Sequence, residues 1–371
     1  DLLSGKVNPC GRLTDTIAKK YEDYPSSANF GNTDYNNYYE DIYVGYRYFE
    51  TFNKDAVAYP FGYGLSYSTF DIAFDGAEKN EEDVVVKCTV KNTGEYAGKE
   101  VVQVYISKPY GCLGNPAREL VAFAKTKVLN PGESEALEIV VPIERFYSYD
   151  DSSGSGYAFC YVMEKGEFAL YLGKDVRNAE KVWSYYQEET TPMVKLKQVA
   201  APQEMYGRLV NLRGIQGKED VILRKYDLKE IILENIGEGV PMTGDKGYKL
   251  SDVEAGKVSM EDFVAQLSLE ELEAISRGDY KMDSPLGPKG NAGAMGGVLP
   301  SLRDKGIPPM ITTDGPSGIR LLSYCSLIPN GTALASTFNT YLVEKVYAKI
   351  SEEMKEKGTD ILLGPGMNIH R

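Results

Sequence analysis

Between residues 83 and 173 apolar and polar residues alternate, and a period of two confines this stretch to β-strands. DVVVKCTVKNTG (83–94) alternates and ends in the turn residues Asn92-Thr93-Gly94. GKEVVQVYIS (98–107) sets Val102, Val104 and Ile106 against Val101, Gln103, Tyr105 and Ser107. RELVAFAKTKVL (118–129) is followed by the turn Asn130-Pro131-Gly132-Glu133, then by EALEIVVP (135–142), and GEFALYLG (166–173) closes the series. Strands of this length joined by turn residues predict a β-sandwich of about 100 residues, placed over residues 71–175.

The flanks follow other rules. Residues 1–70 are rich in Tyr, Asn and Gly, as in YYEDIYVGYRYF (38–49) and YPFGYGLSYSTF (59–70). They have too little apolar periodicity for a core of their own and read as the end of a domain. Residues 176–258 are charged, with short apolar pieces, and read as a linker or strap. From residue 259 onward the period becomes helical. Ser259 is a candidate N-cap, and Ser268 with Glu271 three residues on has capping-box spacing. The glycine-rich SPLGPKGNAGAMGG (284–297) lacks the GK[ST] ending of a phosphate loop and reads as a tight loop. A strand PMITTD, a helix over 339–358 and a second buried strand beginning DILL at 360 complete the chain. In that helix the charged run SEEMKEKG reads as a solvated face. Strand, helix, strand is the grammar of a parallel sheet or barrel. Two strands cannot close a barrel of eight, and the chain has no initiator Met, so an internal piece of a longer protein is expected.

Composition narrows the function. A chain of 371 residues with 42% hydrophobic content can hold two or three domain cores. A net charge of −13 without a Lys/Arg cluster excludes nucleic acid as a partner. No apolar run approaches the ~20 residues of a membrane helix, and DLLSGKVNPCGRL has no signal-peptide pattern. Five cysteines, Cys10, Cys88, Cys112, Cys160 and Cys325, follow no pairing motif and read as free thiols of a reducing, cytoplasmic setting. With one histidine, His370, and no CxxC or HExxH, neither a His-rich metal site nor a Ser-His-Asp triad is expected, and no cofactor is implied. His370 itself reads as structural. Tyrosine is abundant, at 28 residues against one Trp, which suits sugar or protein contacts and sandwich cores equally.

One stretch stands out. In MITTDGPSGIR (310–320) an apolar run stops at Asp314 and turns through Gly315-Pro316-Ser317-Gly318 to Arg320. An acid at the carboxyl end of a strand is a usual ligand position in α/β folds. Two readings stay open. Asp314 and Arg320 could simply pair across the turn, or the carboxylate could accept hydrogen bonds from adjacent hydroxyls of a polyol while the guanidinium donates to a third.

Three motif groups carry a family resemblance. TTDGPSGIR, GTALAS (331–336) and LLGPGMNIHR (362–371) resemble the start of the N-terminal barrel of glycoside hydrolase family 3 β-glucosidases. SGKVNPCGRLTDTI (4–17), YEDIYVGYRYF and YPFGYGLSYSTF resemble the end of that family's α/β-sandwich domain. VKNTGEYAGKEVVQVYIS and PARELVAFAKTKVLNPGE resemble its fibronectin type III-like domain. The resemblance implies a multidomain α/β plus all-β protein in the inverted order of a bacterial subgroup. That order is sandwich tail over 1–70, fibronectin-like domain over 71–175, linker over 176–258 and the first βα units of a (β/α)8-type barrel over 259–371. It also implies a retaining glycosidase acting on a β-glucoside or short β-gluco-oligosaccharide. Asp314 and Arg320 fall on sugar-holding positions, and Asp rather than Glu at 314 favours glucose over xylose. Both catalytic carboxylates are expected outside the chain, which alone would be inactive and would need the remainder of the enzyme. The family's second sugar-binding arginine falls beyond Arg371, which therefore receives no role. Alternatives are a non-catalytic fibronectin-like scaffold, a β-xylosidase or a β-hexosaminidase; homo-oligomerisation is open.

Overall fold

A computed structural model describes residues 1–197, 201–202, 204–223, 227–369 and 371. The chain divides into two compact units. The first is Asp1–Leu228 with Ala335–Asn339 and Ile369–Arg371, and the second is Lys229–Leu334 with Thr340–Asn368.

The first unit contains helix α1 (Tyr46–Phe52) and, in chain order, strands β1 (Phe70–Lys79), β2 (Asp83–Asn92), β3 (Val101–Ser107), β4 (Glu119–Lys125), β5 (Ser134–Pro142), β6 (Ser148–Asp150), β7 (Cys160–Met163), β8 (Gly166–Gly173), β9 (Glu180–Gln187), β10 (Thr191–Lys195), β11 (Gly207–Leu212) and β12 (Ile215–Asp220). The sheets β1-β2-β5 and β9-β8-β3-β4 are antiparallel. They enclose one core. Val84, Val86, Cys88 and Val90 point into it from β2, Val102, Val104 and Ile106 from β3, and Phe168 and Leu170 from β8. The alternation seen in the sequence is thus the inward face of a sandwich.

The sandwich extends past residue 175. β9 pairs with β8 along its length and brings Val182, Trp183 and Tyr185 against the core. β10 joins a third sheet with β7 and β6, and β11 with β12 forms a hairpin. The span read as a linker therefore contains strands. Exposed charged residues, such as Glu180 and Lys181 on β9 and Lys218, Glu219 and Asp220 on β12, hide their period.

The Tyr-rich stretch borrows its core. Tyr43, Tyr48 and Phe49 are buried with Leu209 of β11. The Tyr46 hydroxyl accepts a hydrogen bond from the Leu120 amide at 2.8 Å, and Thr51 Oγ1 accepts one from the Ala117 amide at 2.9 Å. Nearby, Arg12 forms a buried ion pair with Glu100 and also donates to the Gly64 carbonyl at 3.1 Å.

In the second unit, α2 (Met260–Ala265) and α3 (Leu269–Arg277) start where the caps predict. Ser259 Oγ accepts from the Asp262 amide at 3.0 Å, and Ser268 Oγ from the Glu271 amide at 3.2 Å. The Glu271 carboxylate in turn accepts from the Ser268 amide at 2.9 Å and meets Lys305 at 2.8 Å. Strand β13 (Gly293–Gly296) pairs antiparallel with β14 (Pro309–Asp314). Helix α4 (Thr340–Lys357) then leads to β15 (Ile361–Leu363), parallel to β14 with Asp314 opposite Leu363. The glycine-rich segment read as a loop thus contains β13. Glycine supplies no side-chain period to read, and it is needed for close approach: a Cβ on Gly297 would lie 2.0 Å from the Ile307 carbonyl oxygen.

Two predictions follow from the packing. Leu170, fully buried in the sandwich, should cost about 2–5 kcal/mol when replaced by Ala. The measurement is the urea midpoint followed by the fluorescence of Trp183, the single tryptophan; a change under about 1 kcal/mol would contradict the assigned core. The second concerns Glu271. Burial pushes its carboxyl up, but Lys305 and the Ser268 amide outweigh burial and hold it below the ordinary range. Its stabilising contribution is therefore present above the unfolded carboxyl pKa of about 4.3 and is lost as pH falls through the lower folded value. Glu271→Gln should be less stable at pH 7 and lose less stability on acidification below about pH 4.3 than the parent. Parallel stability–pH curves would contradict it.

Candidate functional site

Along β14, Ile311 and Thr313 are buried, and Asp314 ends the strand with its side chain about one-third exposed. Because β14 and β15 are parallel, Asp314 and the Gly364–Gly366 segment both lie at the carboxyl edge of the pair, where open α/β sheets bind ligands. The backbone fixes this edge closely. A Cβ on Gly315 would lie 1.9 Å from the Leu362 side chain, and one on Gly364 would lie 2.8 Å from the Gly315 carbonyl oxygen. Gly318 has φ 112°, and a Cβ there would lie 2.2 Å from the Ser326 carbonyl oxygen.

The turn returns Arg320 to Asp314. The Arg320 amide donates to the Asp314 carbonyl at 2.9 Å, and Thr313 Oγ1 donates to the Arg320 carbonyl at 3.2 Å. Ile319 anchors the turn by packing with Ile350 and Met354 of α4. The Arg320 guanidinium meets Asp314 Oδ2 at 3.2 Å while staying 80% exposed. An ion pair this open contributes roughly 0–1 kcal/mol to stability. Both sequence-predicted residues are thus brought together and kept accessible, as a carboxylate acceptor beside a guanidinium donor.

His370 lies outside the described residues. Arg371 is buried in the first unit, where its guanidinium pairs with Glu40, donates to Asn36 Oδ1 at 3.0 Å and lies 4.1 Å over the Tyr38 ring. Sequence reasoning missed Glu40, because a buried acid inside an aromatic run has no period to mark it. Among the described residues no group of three His, Cys, Asp or Glu side chains is placed to hold a metal ion, and no helix is long and apolar enough to cross a membrane.

Comparison with known proteins adds identity to this geometry. Residues 1–67 match the glycosyl hydrolase family 3 C-terminal domain, and residues 100–176 match the fibronectin type III-like domain. A β-glucosidase of Ruminococcus albus is 45% identical over the whole chain, which covers 39% of that protein. β-Glucosidase A of Butyrivibrio fibrisolvens is 36% identical, again over the whole chain and 49% of its own length. The crystal structure of a β-glucosidase from Paenibacillus barengoltzii superposes with a TM-score of 0.95 at 46% identity, over the whole chain and 42% of that structure. The chain therefore spans about two-fifths to one-half of these relatives.

The exposure of the Arg320 guanidinium yields a stability prediction. Arg320→Ala should shift unfolding free energy by less than about 1 kcal/mol, read from thermal or urea midpoints. A larger loss would make the ion pair a structural element of the turn.

Proposed function

The chain belongs to glycoside hydrolase family 3, and on that premise we propose that it is part of a retaining β-glucosidase acting on terminal, non-reducing β-D-glucosyl residues. The observation that carries this reading is the 45% identity to a β-glucosidase, sustained from one end of the chain to the other. In this proposal residues 1–70 are the end of the α/β-sandwich domain, and the fibronectin-like domain starts at 71 and includes β9. Residues 259–371 begin a (β/α)8-type barrel, a reading supported by the parallel register of β14 and β15 across α4. A cytoplasmic setting is supported by five cysteines that are all free thiols.

Retaining hydrolysis uses one carboxylate as nucleophile and a second as acid and then base. Neither role is assigned to a residue of this chain. Asp314 and Arg320 are given the task of holding the sugar. Asp314 accepts hydrogen bonds from two neighbouring hydroxyls, and Arg320 donates to a third oxygen. Both groups stand at the strand end with closely packed backbone behind them and accessible side chains, so a sugar can reach them without displacing the backbone. Such contacts help the reaction where they strengthen in the transition state.

A hydrogen bond to a charged group contributes about 1.5–3 kcal/mol, so losing two corresponds to about 10²-fold or more in rate. In the full-length protein Asp314→Ala should lower kcat/KM for a chromogenic β-glucoside by that factor, and Arg320→Ala by about tenfold. Near-parental kinetics for both variants would return the pair to a turn contact. The 371-residue chain alone should show no turnover of the same substrate, and measurable hydrolysis would refute the assignment of catalysis to other segments.

A further inference from the structure

Two cavities of the first unit, about 1210 and 660 Å³, share Asp41, Arg47, Tyr149, Asp151 and Arg208 in their walls and so adjoin as two lobes of a groove. At its centre the Arg208 guanidinium is only 14% exposed. It binds Asp151 at 2.5 and 3.1 Å, Asp41 at 3.0 Å and Glu219 at 2.9 Å. The guanidinium is occupied, whereas the side chains of Asp151 and Glu219 stay about half exposed, at 50% and 49%. A carboxylate has about four acceptor sites, so these acids present fixed acceptors to the groove. Beside them the Tyr149 and Tyr161 rings lie 5.3 Å apart, tilted by 54°, and are 39% and 40% exposed.

The chemistry of the walls selects a ligand class. The larger cavity is lined by five acidic and five basic side chains, so their formal charges cancel (5 − 5 = 0) and favour neither an anion nor a cation. Aromatic faces set among planar hydrogen-bonding groups suit a molecule with apolar C–H faces and a rim of hydroxyls. The backbone supplies an independent observation. Asp41 and Phe159, with φ of 53° and 59°, are non-glycine residues in the left-handed region and stand in these walls, whereas Arg213, at 58°, owes its φ to the two-residue turn of the β11–β12 hairpin. Conformations of this kind persist only where the surroundings fix them, and they cluster at ligand sites.

We propose that this groove binds a neutral oligosaccharide, with the Tyr149 and Tyr161 rings as its stacking platform and the carboxylates around Arg208 as acceptors for sugar hydroxyls. The choice of a sugar rests on the glycosidase reading above, whereas the groove itself stands on its own geometry. Nothing in the sequence announces it, since its walls come from segments more than 150 residues apart.

The test is calorimetric titration of the 371-residue chain with cellotetraose. The parent should bind, the double variant Tyr149→Ala/Tyr161→Ala should bind at least tenfold more weakly, and Glu78→Gln, at an exposed acid outside these walls, should change Kd less than twofold. Should the double variant fail to fold, as judged by Trp183 fluorescence and the thermal midpoint, Asp151→Asn probes the same groove and should weaken binding at least threefold. Absence of binding by the parent, an unchanged Kd in the groove variants, or an equal loss of binding on Glu78→Gln would each overturn the proposal. The β-glucosidase reading fails by a different result, an inactive full-length protein on an aryl β-glucoside, so the two failures are separable.

Discussion

Strand β3 has no face in water, and the first unit depends on that fact. Val102, Val104 and Ile106 enter the sandwich core. On the opposite face Val101 and Tyr105 enter a second cluster with Phe61, Val176 and Phe338. Each large apolar side chain buried this way contributes roughly 1.5–3 kcal/mol, so one seven-residue strand supports two cores. The polar residue among them is satisfied: Gln103 accepts from the Tyr105 hydroxyl at 2.6 Å and donates to the Lys174 and Gly62 carbonyls. An unpaired amide there would cost about as much as the hydrogen bonds now offset. The stretches matching two family models, 1–67 and 100–176, are therefore one physical object and not two beads on a string.

Legibility in the sequence followed the strength of local signals. The alternating strands, the Ser259 and Ser268 caps and the strand–helix–strand around Asp314 were readable because period and capping chemistry are local. Three kinds of feature were not. β9 and the β11–β12 hairpin were masked by exposed charges. β13 was masked by glycine, whose role is to let backbones approach. The core of the Tyr-rich segment was masked because part of it arrives from β3 and β11, far along the chain.

The same division applies to the sites. Asp314 and Arg320 lie six residues apart in a turn, so their meeting is a local event that spacing foretells. Besides Glu219, its partner across the β11–β12 hairpin, Arg208 gathers Asp41 and Asp151 from two distant segments, and Arg371 finds Glu40 across most of the chain's length. Tertiary folding alone makes those pairs. At the Asp314 turn, glycines and Ile319 fix the backbone, which leaves the exposed ion pair with little structural duty.

One segment ties the chain to its order of synthesis. Residues Ala335–Asn339 belong to the first unit although the second unit surrounds them in sequence. There Phe338, at φ 46°, packs edge-on against Phe61 and Phe123, the Ser336 carbonyl accepts from the Arg12 amide at 2.8 Å and Thr337 receives the Lys125 ammonium at 2.6 Å. A ribosome adding ~5–20 residues per second delivers Leu228 some seconds before it delivers Phe338. During that interval the nascent first unit holds an aromatic socket with its plug still unmade. The first unit is thus completed only after most of the second has been made.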